Sequence, residues 1–161
     1  MMLFLHLTKF YPPRGYVMQH IKDIEKLLKN ELSATETYQQ ALDSLKADVG
    51  LGESEVLMPL LEEHKEALAS LQALNQRLAG EPTESSGAWG TWAKIVLGGA
   101  NWLGKESVLK ALLEGEKSGA DDYKSALEDT ELLADIRALI ETKLLPAQHA
   151  HIGTLELLLV A

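Results

Sequence analysis

Two leucine-rich stripes at helical spacing, each interrupted at its centre by a glutamate, constrain this chain more than any other feature. Ile24, Leu27, Glu31, Thr35, Tyr38, Leu42 and Leu45 share one face of a helix. So do Leu109, Leu112, Leu113, Glu116, Ala120, Tyr123 and Leu127. Each glutamate is followed by a tyrosine seven residues on, and each tyrosine by an Ala-Leu pair. A carboxylate in an apolar stripe is costly to bury unless it is paired, hydrogen-bonded or bound to a metal.

Two further stripes carry histidines. Leu57, Leu60, Leu61, Leu68, Leu71, Leu74 and Leu78 surround His64, with Glu63 at the stripe's edge. Leu133, Ile136, Ile140, Leu144, Leu155 and Leu158 surround Gln148 and His151. The spacing predicts helices over about 20–48, 54–79, 105–129 and 131–159, with Gly50-Leu51-Gly52 turning the first into the second. Pro59 is tolerated early in its helix or kinks it modestly, whereas Pro146 predicts a kink or break. The first hairpin repeats in the second. Glu31 and Tyr38 match Glu116 and Tyr123, Pro59 and His64 match Pro146 and His151 at the same spacing, and Leu68 matches Leu155.

Leu and Ala dominate the apolar residues and β-branched residues are sparse, so the expected fold is all-α: a four-helix bundle of two helical hairpins. Residues of about 80–104 make a connection too long for a tight turn. It is expected to cross the length of the bundle, with a short extra helix over 88–97 and Trp89, Trp92 and Trp102 packing against the helices. Residues 1–17 stand apart from the bundle domain of 18–161. Pro12, Pro13 and Gly15 are expected to interrupt a helix there. This segment is either an extension upstream of a start at Met18 or an arm that packs on the bundle or a neighbouring subunit. It has neither the basic start nor the cleavage site of a signal peptide, and it is too short to span a membrane.

Charge narrows the partners. With 15 Lys+Arg against 24 Asp+Glu, the formal net charge is −9, which argues against general nucleic-acid binding. The absence of cysteine excludes disulfides and thiolate ligands and fits a cytoplasmic location. Leu and Ala on the outer faces make a homodimer the expected partner arrangement.

Four polar residues thus stand one to a stripe: Glu31, His64, Glu116 and His151. If the hairpins align as the repeat does, the four converge at one level of the core. Their oxygen and nitrogen donors suit iron, manganese or zinc. The alternative is a metal-free layer in which both glutamates pair with both histidines. Tyr38, Tyr123 and Gln148 would then satisfy the remaining bonds.

Over about 20–159 the sequence resembles the ferritin/rubrerythrin superfamily, and within it a bacterial ferritin-like branch of unassigned activity. The resemblance rests on Gly80-Glu81-Pro82, Ser86-Gly87-Ala88-Trp89, Leu112-Leu113-Glu114-Gly115-Glu116 and Tyr123-Lys124-Ser125-Ala126-Leu127. It implies a di-metal-carboxylate site with Glu31 and Glu116 as single glutamates and a Glu-x-x-His pair from each remaining helix. It implies His64 and His151 as metal ligands, with Tyr38, Tyr123, Gln148 and Glu63 surrounding them. The chain departs from the pattern at two positions: the paired glutamates would fall at Leu61 and Gln148. Glu62 or Glu63 substitutes only if the second helix rotates near Pro59. Two readings follow. One is a metal-binding protein of redox or stress-related role, in which a tyrosine tunes the ligands or relays an electron. The other is a metal-free bundle acting through its surface.

Overall fold

A computed structural model describes residues 14–47, 51–78 and 104–161, and all the regular structure in them is helical. Helix α1 spans Arg14–Ala47, α2 Leu51–Arg77 and α3 Lys105–Glu128. The fourth rod is composite: α4 Ala134–Leu139, a wide π turn Ile140–Leu144, and α5 Leu145–Val160. The expected extra helix at 88–97, the three tryptophans and Gly50 lie outside the described residues.

Two helix starts differ from expectation. Helix α1 begins at Arg14 and includes Gly15 and Met18, so Gly15 does not interrupt it. Helix α2 begins at Leu51 and includes Gly52. Both glycines fall in the first turn, where the N–H groups lack intrahelical partners anyway and a weak helix former does little harm. Pro59 lies further in, on the exposed side of α2, and the helix continues through it.

Pro146 acts through the turn before it. Proline removes a backbone donor and its ring crowds the carbonyl four residues back. The chain answers by widening: the Leu145 N–H reaches back to the Ile140 carbonyl, and the rod resumes as α5. At the α3–α4 corner, Arg137 donates to the carbonyls of Leu127 (2.9 Å) and Asp129 (2.6 Å), satisfying acceptors that the end of α3 leaves over.

The core is in two parts. Tyr38, Leu42, Leu57, Leu61, Leu109, Leu112 and Leu155 fill one end, and Ile24, Leu28, Leu71, Tyr123, Ile136 and Ile140 fill the other. These memberships give the directions of the rods. The end of α1 meets the starts of α2 and α3 and the end of α5, so α1 and α3 run antiparallel while α2 and α3 run parallel. Helix α1 packs mainly on α2, and α3 on α5; α1 and α3 also meet along their length, whereas α2 and α5 touch at few points. Helix α2 ends at one end of the bundle and α3 starts at the other, so the link between them has the bundle's length to cover, roughly 35–40 Å for helices of this size. Between the two apolar clusters lies a buried polar layer. No described helix is long and apolar enough to cross a membrane.

Candidate metal centre

Glu31, His64, Glu116 and His151, read from the stripes as one set, meet in that layer and are all buried. His64 is the hub. Its Nδ1 lies 2.8 Å from Glu31 Oε2 and its Nε2 2.9 Å from Glu116 Oε1. Both ring nitrogens therefore donate to carboxylates, which makes the ring an imidazolium. Burial alone would lower its pKa, but the bonds to Glu116 and Glu31 outweigh burial and push it up to about 10. Glu116 answers in kind. Burial would raise it, but His151 and His64 bring it down to about 2.

The tyrosines cross between helices. Tyr38 of α1 donates to Glu116 of α3, and Tyr123 of α3 donates to Glu31 of α1. The antiparallel packing of α1 on α3 turns a seven-residue Glu-to-Tyr spacing on each helix into two reciprocal pairs. Burial first, and then the facing carboxylates, raise both phenols well above their ordinary value, so they remain donors. The sequence repeat is therefore a local two-fold in the site.

The two-fold fails at Leu61 and Gln148. Leu61 packs in the apolar cluster. Gln148 turns inward, and its Nε2 donates to the Glu116 carbonyl (3.1 Å) and to Glu116 Oε2. Room for that amide comes from Gly119, where an added Cβ would lie 2.6 Å from Gln148 Nε2. The stripes do not mark Gly119; the signal available for it is a glycine on the face of α3 that meets its partner helix.

His151 stands within ion-pair distance of the core Glu116, as the metal-free expectation has it, but its closest partner is Glu63. Its Nε2 donates to Glu63 Oε2 at 2.9 Å, and Glu63 is half exposed on α2. Its Nδ1 faces Glu116 Oε1 at 3.4 Å and makes no hydrogen bond. That nitrogen is buried and directed at a carboxylate oxygen. His64, Glu116 and His151 each offer a donor atom within 4.8 Å of the others, a group that can hold a metal ion. Glu31 is not in this triad; it reaches the centre through His64. Glu63, expected as a surrounding residue, is one, but by contact with His151 rather than as a replacement for Leu61. His149 is exposed.

Two cavities flank the layer. One, of about 60 Å³, lies between α1 and α3, beside Asn30, Tyr38, Glu116, Gly119 and Tyr123. The other, of about 290 Å³, lies between α2 and α5, beside Glu63, Glu66, Lys143, Ala147 and His151. No protein-family model matches the chain, and no curated protein or solved structure matches it significantly.

Proposed function

We propose that the chain is a ferritin-like protein whose core binds one divalent cation on His64, Glu116 and His151, with iron or manganese, or else zinc, as the occupant and redox or stress-related chemistry as its role. The observation that carries this reading is the unbonded Nδ1 of buried His151, aimed at Glu116 across 3.4 Å beside His64. A cation between that nitrogen and the Glu116 oxygen would give the unbonded atom a partner, and buried polar atoms seldom go without one. The order and directions of the helices, with glutamates on α1 and α3 and histidines on α2 and α5, support the ferritin-like assignment.

The donors fit one ion better than two. Leu61 brings no oxygen to the centre, and Gln148 spends its amide on Glu116. A second cation would have Glu31 as its main carboxylate. Bound to the triad, iron or manganese would supply Lewis acidity and one-electron chemistry. The chain's own residues do the positioning. Glu63 holds the ring of His151 through its Nε2, while Tyr38 and Gln148 hold the Glu116 carboxylate.

A second reading has its own observation. Without an ion, Glu31, His64 and Glu116 already satisfy one another with the help of the tyrosines. The layer would then set helix register, a role buried polar groups have in some bundles. Elemental analysis decides between the two. The protein is purified without tag or chelator and reloaded anaerobically with ferrous iron. About one metal per chain, lost in Glu116→Ala and in His151→Ala, is the expected result. Folded protein that takes up no metal would leave the structural layer standing.

A further inference from the structure

A cation bound to the triad has to reach it through packed helices, because all three ligands are nearly inaccessible to solvent. The two cavities beside the layer offer different ways in. On the α1/α3 side Tyr38, Tyr123 and the Gln148 amide already hold the carboxylate oxygens that face the cavity. Its outer carboxylate, Asp122, is held by Lys26 at 3.0 Å and by Asn30 at 2.8 Å. An incoming ion meets there a neutralised acid and two phenols.

The α2/α5 side is built differently. The cavity there is about 290 Å³ and reaches His151 directly, and α2 and α5 touch at few points. Small residues, Ala67 and Ala147, form part of its wall. Its other wall includes Lys143 and Leu144, from the π turn that Pro146 imposes. π turns of this kind are frequent at functional sites. Glu63 and Glu66 stand at its mouth, and Lys143 is 3.6 Å from Glu66. Glu63 links the inside to the outside: its side chain is 51% exposed, yet its Oε2 rests on the Nε2 of His151, which is itself a ligand of the triad.

We propose that the α2/α5 seam is the entry path for the divalent cation, with Glu63 as the transfer residue that takes the hydrated ion at the surface and delivers it beside His151. The proposal rests on the metal-binding reading above. Glu66 adds negative potential at the mouth and Lys143 subtracts from it. Charge in such a cleft acts on association rate and is screened by salt.

The test is stopped-flow uptake of Co²⁺ by the full chain, followed by the visible absorption of cobalt on nitrogen and oxygen donors. Glu63→Gln is expected to slow uptake roughly 10-fold, and Lys143→Glu to speed it at low ionic strength, within the range that charge steering covers. The Lys143→Glu gain should shrink as salt is added. Ala147→Met, which narrows the seam, should slow uptake as well, while Asp122→Asn on the opposite side should leave the rate unchanged. Both Glu63 and Lys143 are surface residues, so their variants read the path even if Ala147→Met fails to fold. Wild-type rates in Glu63→Gln and Lys143→Glu, with slowing in Asp122→Asn, would move the path to the α1/α3 side and overturn the proposal. A wild-type protein that gives no cobalt spectrum would overturn the metal-binding reading and the path together.

Discussion

His64 sits between two carboxylates with both nitrogens donating, and that single geometry ties protons to stability and would tie both to a bound metal. In the metal-free protein its pKa is raised from an ordinary 6.5 to about 10. A raised cationic group adds stability that is fully present below its unfolded pKa and fades as pH climbs through the folded one. Glu116 is lowered from 4.5 to about 2, so its contribution is present above 4.5 and fades as pH falls toward 2. For these two groups, metal-free stability should therefore plateau between 4.5 and 6.5 and decline on both sides. Urea denaturation of chelated protein across pH checks this, and His64→Phe should flatten the alkaline limb. Metal binding would run the other way on that limb. A ligating imidazole must give up its proton, so apparent affinity should rise up to about tenfold per pH unit below the folded pKa. Calorimetry in buffers of different ionisation enthalpy should register a proton released at neutral pH.

At the scale of the helix, Gly119 and Gln148 are one device. Glycine inside a helix costs about 1 kcal/mol relative to alanine. At position 119 that cost leaves space for the Gln148 amide, which bonds the Glu116 carbonyl and carboxylate. A buried hydrogen bond to a charged group contributes about 1.5–3 kcal/mol. Gly119→Ala should therefore be net destabilising by about 1 kcal/mol. In a Gln148→Ala background, where nothing obstructs the new methyl group, the same change should be stabilising by a similar amount. A double-mutant cycle by chemical denaturation reads the sign change directly. This coupling shows what the sequence could and could not express. The four stripes, and the polar residues within them, were legible because burial imposes a helical period on each segment separately. The reciprocal Tyr38–Glu116 and Tyr123–Glu31 pairs, the contact of Glu63 with His151 and the space above Gly119 depend on how helices are rotated against each other. No one-dimensional pattern carries that rotation. Helices α1 and α2 start earlier than their stripes imply for a simpler reason: Gly15 and Gly52 are weak helix formers, yet a first turn tolerates them.

In the whole molecule, the polar layer divides the core into two apolar clusters, and every rod crosses it. Helices α1 and α2 bring Glu31 and His64, α3 brings Glu116, and α5 brings His151. An ion on the triad would fasten α2, α3 and α5 to one point, including the α2–α5 pair that otherwise touches least. Because those ligands converge only in the folded chain, binding free energy adds to folding stability. At a free-metal concentration about 100 times the Kd, the gain is about 2.7 kcal/mol. One kcal/mol moves the midpoint of a domain this size by about 2–4 °C. Manganese or cobalt should therefore raise the thermal midpoint by about 5–10 °C, and a chelator should reverse the shift. Glu116→Leu should abolish the metal-dependent shift, whatever it does to the metal-free midpoint. Hydrogen exchange then locates the effect: protection gained on α2 and α5 beside the seam is the signature of an ion joining them, whereas a uniform gain with no local maximum would indicate adventitious binding at the acidic surface.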